Sequence, residues 1–280
     1  MRVVDVTSEN LKACQDFLAR FEDTCQFLIN NLSQHGPRLI EHHNSGNFKM
    51  LLEGEQVVGV FCLTRRGNLL AQTTIDATDI ILNSCRQESV ALKGFSGAWP
   101  TIAPIVAKFR AYTPDFKPTY DDQEFLYSYV LVADDPRLKH DPRVRFLEER
   151  DFEQWFVHSG LYLTELKLPN QLTFEQSRRD FAAQVQRRVW WGLFDGETLL
   201  SRVALNSNGE TIGQVGGVFT PRELRQRGYA KATMFHMLKD CRDLHGHRKS
   251  LLFTGRTDIP AQKLYESMGY KRIGDYALVM

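Results

Sequence analysis

Two segments of the chain, centred on Gly54 and Gly196, lie 142 residues apart and share one pattern. Leu51–Val58 and Leu193–Leu200 each consist of an apolar run, an acidic residue followed by glycine and glutamate, and a second apolar run. This pattern is typical of two antiparallel strands joined by a tight turn. Residues with helical spacing precede each segment: Leu11, Cys14, Phe17, Leu18 and Phe21 in the first half, and Leu172, Phe174, Phe181 and Val185 in the second. The repetition predicts two similar domains in tandem.

A polar stretch with two prolines separates the two halves. Residues 134–142 read DDPRLKHDP, and proline resists regular secondary structure. A chain of 280 residues is also about twice the commonest domain length. We therefore predict two domains, at residues 1–138 and 139–280. The alternative is one α+β domain in which the two helix and hairpin segments are similar by coincidence.

The charge balance and the cysteines argue against several classes of protein. With 35 basic and 34 acidic side chains, the net charge of +1 gives no overall attraction to nucleic acid or to an anionic membrane. The five cysteines are scattered without a C-x-x-C pair, which favours reduced thiols. Charged residues interrupt the first ten positions, and no apolar run approaches the ~20 residues of a membrane span. We expect a soluble cytoplasmic protein that binds neither nucleic acid nor a membrane.

The second half alternates strand and helix patterns. In order, the patterns predict a strand at 212–220 ended by Pro221, a helix from Gly228 to about Leu244, a strand at Ser250–Thr254, a helix between Asp258 and Gly269, and terminal strands at Tyr270–Val279. Asp258 is placed to cap the last helix, and Gly269 to stop it. The apolar face of that helix comprises Ala261, Leu264, Tyr265 and Met268.

The loop after the 212–220 strand has the features of an anion-binding site. A chain entering a helix leaves several backbone N–H groups unpaired, and the positive end of the helix dipole lies at the same place. Gly228, just before the helix, would let the backbone approach a ligand closely. Arg222, Arg225 and Arg227 add positive charge beside it. Together these features predict a site for a phosphate or pyrophosphate group.

Two consecutive motifs resemble the GNAT superfamily of acyl-coenzyme A-dependent N-acyltransferases. The motifs are Arg225-x-x-Gly228-x-Ala230 and Asp258-x-x-Ala261-x-x-Leu264-Tyr265-x-x-x-Gly269-Tyr270, and the resemblance covers residues 143–280. It implies an α+β fold with two GNAT-like domains in tandem, each a mixed, mostly antiparallel central sheet flanked by helices. It also implies an N-acetyltransferase that moves an acetyl group from its co-substrate, acetyl-coenzyme A, to a small-molecule or peptide amine.

The resemblance assigns roles to individual residues. The coenzyme A pyrophosphate loop corresponds to Arg225, Gln226, Arg227, Gly228, Tyr229 and Ala230. The strand that pairs with the pantetheine arm corresponds to Val218, Phe219 and Thr220. Asp258 stands where the family usually has asparagine, and its carboxylate would repel an anionic cofactor unless it is turned away as a helix cap, which we expect.

The first half lacks the corresponding loop. A shift of 142 residues places Arg86 where Gly228 would fall, and the nearby Gly94–Trp99 offers glycines without the order of the motif. We expect a degenerate GNAT-like domain at 1–138, with the cofactor in the C-terminal domain only.

Transfer to an amine requires a neutral nitrogen, whereas an alkyl ammonium with a pKa of about 10.4 is mostly protonated at pH 7. The nearest candidate bases are Glu210, Glu223 and His158. A chain of waters is the alternative, and we assign no base. Tyr265 falls where the family often has a tyrosine near the sulfur, and would protonate the leaving thiolate; the alternative is a core aromatic. A backbone N–H near Phe219 or Thr220 would polarise the thioester carbonyl.

Three further points concern possible metal ligands, two adjacent tryptophans and an alternative function. Cys241, His245 and His247 offer no fourth ligand, so we expect a buried thiol and no metal. Of Trp190 and Trp191 in one strand, we expect one ring in the core and the other facing outward. The outward ring could line an acceptor pocket, and core or interface packing is the alternative. The alternative function is a non-catalytic acyl-coenzyme A-binding or protein-interaction module that has kept the fold.

Overall fold

The computed structural model describes residues 1–168 and 173–280, and it runs through one succession of elements twice. The first comprises β1 (Arg2–Asp5), α1 (Leu11–Ala19), α2 (Gln26–His35), β2 (Gly46–Glu53), β3 (Gln56–Thr64), β4 (Asn68–Thr73), α3 (Thr78–Arg86), β5 (Gly94–Ala98), α4 (Trp99–Tyr112) and β6 (Asp121–Val130). The second comprises β7 (Val144–Phe146), α5 (Phe152–Glu165), α6 (Phe174–Gln186), β8 (Trp190–Asp195), β9 (Thr198–Asn208), β10 (Ile212–Phe219), α7 (Tyr229–Asp243), β11 (Lys249–Gly255), α8 (Ile259–Met268) and β12 (Lys271–Val279). Leu172, predicted to belong to the second helical pattern, lies outside the described residues.

The chain forms two compact units. Unit 1 comprises residues 1–126, 254–259 and 272–280, and unit 2 comprises residues 127–253 and 260–271. Along the chain, unit 1 first gives way to unit 2 between Leu126 and Tyr127, before the predicted boundary near residue 138. The last nine residues of the chain belong to unit 1. The division into domains at 1–138 and 139–280 stays a prediction.

The sheet of unit 1 has the strand order β1-β2-β3-β4-β5, followed by the C-terminal part of β12. Only β4 and β5 are parallel among these pairs. The predicted hairpin is confirmed as β2 and β3, with Gly54 at a φ of 59° in the turn. Apolar side chains cover both faces of the sheet. Phe61 and Leu69 belong to the cluster with α3 and α4, whereas Val60 and Leu70 belong to the cluster with α1 and α2.

The sheet of unit 2 has the order β6-β11-β10-β9-β8-β7. Strands β10 and β11 are parallel, whereas β9 pairs antiparallel with β10 and β8, and β8 with β7. The second predicted hairpin is confirmed as β8 and β9, with Gly196 at a φ of 57°. Helix α5 packs against β9 and β10, and α7 against β8 and β9. The predicted mixed, mostly antiparallel sheet flanked by helices is therefore confirmed.

The prediction that one of the two adjacent tryptophans faces outward is wrong. Trp190 is 8% exposed and Trp191 is fully buried. The ring of Trp190 lies edge-on to Trp155 of α5, at 5.6 Å between centroids. Nε1 of Trp191 donates to Asp240 of α7 at 2.8 Å. Because helices cover both faces of this strand, alternate side chains are buried on either side.

The last strand completes the N-terminal unit. In β12, Tyr276–Val279 pair antiparallel with β5, where Tyr276 lies opposite Ala98. Ala277 and Val279 are buried in the cluster with α3 and α4. The hydroxyl of Ser96 also donates to that of Tyr276 at 3.1 Å. Within residues 1–168 and 173–280, no helix has the length and apolar character needed to cross a bilayer.

Candidate active site

The end of β10 departs from a regular strand. Parallel pairing with β11 covers Ile212–Val215, and β10 continues for four further residues. The register with β9 shifts between Gly216 and Phe219. In this stretch Gly217 has a φ of 59°, and a Cβ on it would lie 2.7 Å from the ring of Trp190. Only glycine fits there, because the backbone passes directly over the indole.

Side-chain hydrogen bonds fix the backbone where β10 ends. The buried hydroxyl of Thr220 donates to that of Ser201 on β9 at 2.9 Å. Ser201 in turn donates to the carbonyl of Phe219 at 3.3 Å. These bonds hold the backbone of Phe219 and Thr220 in place.

The loop into α7 presents a row of backbone N–H groups. Gln226 and Gly228 have left-handed φ values of 62° and 79°, and they alternate with arginines. Within the described chain, no backbone carbonyl accepts a hydrogen bond from the N–H groups of residues 227–230. A Cβ on Gly228 would have no atom within 4 Å. Such alternation forms a concave anion-binding nest, and here it coincides with the positive end of the α7 dipole.

Two of the three arginines of the loop are paired with a carboxylate of α5. Arg225 is held by Glu165 of α5 at 2.7 Å, and its Nε donates to the carbonyl of Thr220 at 2.8 Å. Arg222 shares the same carboxylate at 3.2 Å. Glu165 therefore offsets part of the positive charge of Arg222 and Arg225. Arg225 therefore ties the loop to α5.

Tyr265 lies on α8 with 7% of its surface exposed. Its ring is 6.3 Å from that of Tyr127 and 6.0 Å from that of Tyr270. These contacts match the core-aromatic alternative, and a role as acid stays a prediction. Asp258 directly precedes α8, at the predicted cap position, and belongs to unit 1.

His158 is the candidate base that contacts the end of β10. Its ring lies edge-on to Phe219 at 5.5 Å between centroids. Burial lowers the pKa of His158 to about 4, and the nearby charge of Arg202 adds to the effect. The imidazole is therefore neutral at pH 7, and it is a weak base. Glu210 and Glu223 are exposed.

The first unit lacks an open helix start at the corresponding place. Its loop between β4 and α3 has only four residues, 74–77. There Asp76 accepts a hydrogen bond from the backbone N–H of Thr78 at 3.0 Å, and this bond lowers the pKa of Asp76. The chain thus supplies its own carboxylate where unit 2 has open N–H groups. Arg86, which a shift of 142 residues aligns with Gly228, lies at the end of α3.

Cys241 and His247, which were considered as metal ligands and rejected, show ordinary packing. Cys241 is fully buried, with its Sγ 3.3 Å from the Sδ of Met237. Nε2 of His247 is 2.9 Å from the carbonyl oxygen of Gly209. Over the ranges 1–168 and 173–280, no three histidine, cysteine, aspartate or glutamate side chains are grouped to hold a metal ion.

One buried residue escaped sequence analysis. Arg202 of β9 is 2% exposed and lies opposite Phe219 in the register of β9 and β10. The sequence feature that could have indicated this burial is a single charged residue inside the apolar run 199–205. Such a charge is rarely buried without a partner.

The chain is similar to a known protein family and to several solved structures. The sequence model of the acetyltransferase (GNAT) family matches residues 144–270 of this chain. No curated protein sequence matches the chain. A GCN5-related N-acetyltransferase from Sphaerobacter thermophilus is 12% identical, with 99% of this chain and 94% of that chain covered and a TM-score of 0.61. A Drosophila protein is 14% identical, with coverage of 99% and 98% and a TM-score of 0.65.

A tandem GNAT protein from the clavulanic acid biosynthesis pathway is 12% identical, with 99% of this chain and 97% of that chain covered and a TM-score of 0.51. At these identities the similarity establishes the fold, and it extends over both halves of the chain. The chain therefore has a tandem GNAT fold, and the match to the acetyltransferase (GNAT) family model covers its residues 144–270.

Proposed function

We propose that the protein is an N-acetyltransferase that moves an acetyl group from acetyl-coenzyme A to a small-molecule or peptide amine. The observation that carries the proposal is the open row of N–H groups at residues 227–230, at the start of α7. A pyrophosphate offers the charge and the acceptor atoms that this row requires. The corresponding helix start in unit 1 is closed by Asp76, so the proposal places one cofactor site, in the C-terminal domain.

Each part of the site would contribute a separate interaction. Residues 225–230 would hold the pyrophosphate through their backbone, with Gly228 allowing close approach. Val218, Phe219 and Thr220 would pair with the pantetheine arm, since β10 continues beyond its parallel register with β11. An N–H near Phe219 or Thr220 would donate to the thioester oxygen as negative charge develops on it. Asp258 would act as the cap of α8.

The reaction itself is direct attack. The neutral amine nitrogen forms a bond to the thioester carbonyl carbon, and the carbon–sulfur bond then breaks to expel the thiolate. Tyr265 would donate its hydroxyl proton to that thiolate. Solvent would accept the proton lost by the amine, because the one candidate base that contacts β10, His158, has a pKa of about 4.

Calorimetric titration of acetyl-coenzyme A tests the binding site. Gly228→Glu is expected to weaken binding at least ~100-fold, because it adds a carboxylate beside the phosphates and strains a left-handed backbone position. Gly196→Glu is the matched control. Gly196 also has a left-handed φ and open space around its Cβ position, but it lies in the β8–β9 turn.

Saturable 1:1 binding that survives Gly196→Glu and is lost in Gly228→Glu would support the site. Equal loss in both variants would show that the strained glycine, and not the phosphate loop, is responsible. Absence of binding by the unaltered protein would refute the proposal.

Tyr265→Phe separates chemistry from binding. The change keeps the ring that packs against Tyr127 and Tyr270 and removes only the hydroxyl. We expect acetyl transfer to an amine panel to slow by roughly 100-fold or more, while the dissociation constant of acetyl-coenzyme A stays the same. An unchanged rate would remove Tyr265 from the mechanism and leave it as a core aromatic.

The alternative function, a non-catalytic acyl-coenzyme A-binding or interaction module, predicts a different result. Acetyl-coenzyme A would bind with the Gly228 dependence described above, but no amine in the panel would be acetylated.

A further inference from the structure

Arg202 carries a buried charge that the protein does not neutralise. The residue is 2% exposed, and its Nε is buried without a hydrogen-bond partner. In the part of the chain that the structure describes, its guanidinium makes neither an ion pair nor a hydrogen bond. Arg145 of the same unit, by contrast, is paired with Asp151 at 2.7 Å. A buried, unpaired charge requires an explanation.

Aromatic rings surround the guanidinium. Its Cζ lies 4.7 Å from the ring centroid of Trp190, 5.8 Å from those of Trp155 and Phe219, and 5.7 Å from that of Tyr162. These rings supply cation–π attraction, and the structure shows no hydrogen bond from the guanidinium to any of the four residues. The charge is therefore caged without being satisfied.

Two further buried polar atoms beside Arg202 lack partners. They are Nε1 of Trp155 and Nδ1 of His158, both on α5. The indole N–H and the guanidinium can only donate hydrogen bonds, and neutral imidazole can donate from one nitrogen. A cluster of donors with no acceptor matches a ligand that carries negative charge and several lone pairs.

The charge state and the position of Arg202 both favour such a ligand. Burial lowers the pKa of Arg202 to about 9, so the guanidinium is still protonated at pH 7. Arg202 lies opposite Phe219 in the strand register, and its Nη1 is 3.4 Å from the position of a Cβ on Gly217. Gly217 and Tyr162 are only half-buried, so the group lies close beneath the surface at the end of β10.

We propose that Arg202, with Trp155 and His158, binds a carboxylate group of the substrate, so that the amine acceptor is an amino acid or a similar amine that also carries a carboxylate. The inference rests on the proposed acetyl transfer, because it places the carboxylate beside the strand assigned to the thioester. The planar guanidinium matches a carboxylate through two parallel hydrogen bonds. The same chemistry arises if the carboxylate belongs to a dicarboxylic acyl group, and the experiment distinguishes the two sources.

The test compares Arg202→Met and Arg202→Lys with the unaltered protein, and Arg187→Met serves as the control at an exposed position of unit 2. Acetyl transfer is measured to standard amino acids and to their carboxamides. The unaltered protein and Arg187→Met are expected to prefer the carboxylates by roughly 10- to 100-fold in kcat/KM. Arg202→Met should bring the ratio close to one. Arg202→Lys, which keeps charge without the fork, should retain a preference below about tenfold.

The second possible source of the carboxylate is the acyl group. To test it, the rates of transfer from succinyl-coenzyme A and from butyryl-coenzyme A to a carboxamide acceptor are compared. A preference for succinyl that depends on Arg202 would support the carboxylate site and assign it to the acyl group. The proposal is overturned if neither acceptor nor acyl carboxylate is preferred, or if the preference persists in Arg202→Met.

A binding measurement keeps this test separate from acetyl transfer. N-acetylglycine and N-acetylglycinamide are titrated by calorimetry into each variant in the presence of coenzyme A. Carboxylate-dependent binding that is lost in Arg202→Met supports the site even if no amine is acetylated, which would refute only the catalytic proposal. If Arg202→Met does not fold, as judged by circular dichroism, Arg202→Lys decides the outcome in both assays.

Discussion

Replacement of Ala277 by aspartate is expected to destabilise unit 1 by at least about 4 kcal/mol. Ala277 is fully buried in β12, where it lies opposite Gly97 of β5, and it belongs to the cluster that contains Phe95 and Leu69. A carboxyl there loses its hydration without a compensating partner. Burial raises the pKa of such a carboxyl above its unfolded value of about 3.9, so the deficit is largest at neutral pH and shrinks as the pH falls toward 4.

Ile273→Asp is the matched control for this change. Ile273 lies on the same strand but is 45% exposed, so a carboxylate there stays hydrated. We expect its effect on the free energy of unfolding to stay within about 1 kcal/mol. Urea denaturation measures the free energies, and hydrogen exchange of peptides from residues 46–98 reports on unit 1. Similar losses in both variants would contradict the assignment of β12 to the core of unit 1.

Trp191→Ala is expected to destabilise unit 2 by about 3–5 kcal/mol. The indole is fully buried, and its ring packs against Phe146 with 4.8 Å between centroids. Removal of the indole leaves a cavity. It also removes the N–H that donates a hydrogen bond to Asp240 at 2.8 Å. Both losses act in the same direction, since neighbouring side chains relax only partly into the space.

Trp191→Phe separates the contribution of packing from that of the hydrogen bond to Asp240. Phenylalanine keeps much of the volume but lacks the N–H, so we expect a smaller loss of about 1–3 kcal/mol. Hydrogen exchange of peptides from residues 190–219 locates the change in unit 2. An alanine variant no less stable than the phenylalanine variant would show that the hydrogen bond, and not packing, accounts for the effect.

Local patterns in the sequence predicted most of the secondary structure near the site. The two hairpins were predicted because an acidic-Gly-Glu turn between apolar runs requires a left-handed glycine, and Gly54 and Gly196 both adopt that conformation. The helical periodicity after Gly228 predicted α7, which begins at Tyr229. The position of Asp258 predicted the start of α8. Each of these features depends on residues only a few positions apart.

The predictions that failed concern neighbours that are far apart in sequence. The outward tryptophan was wrong because α5 and α7 cover both faces of β8, and no local pattern shows which faces are covered. The pairing of Arg225 with Glu165 was not predicted, because the two residues lie 60 positions apart in the sequence. The hydrogen bond by which Asp76 closes the helix start in unit 1 was not predicted either, because the loop before α3 and the loop before α7 differ in length.

By itself, the sequence determined the repeated succession of strands and helices, the loop that opens onto α7, and the resemblance to the GNAT superfamily, because turn residues and apolar spacing act over short distances. Tertiary structure alone decided that β12 pairs with β5, where Ser96 meets Tyr276 across 180 residues of chain. It also decided that Arg202 is enclosed by rings from α5, β8 and β10. Such contacts depend on how the sheet is assembled, and a charge in an apolar strand reveals its missing partner only once the surrounding elements are in place.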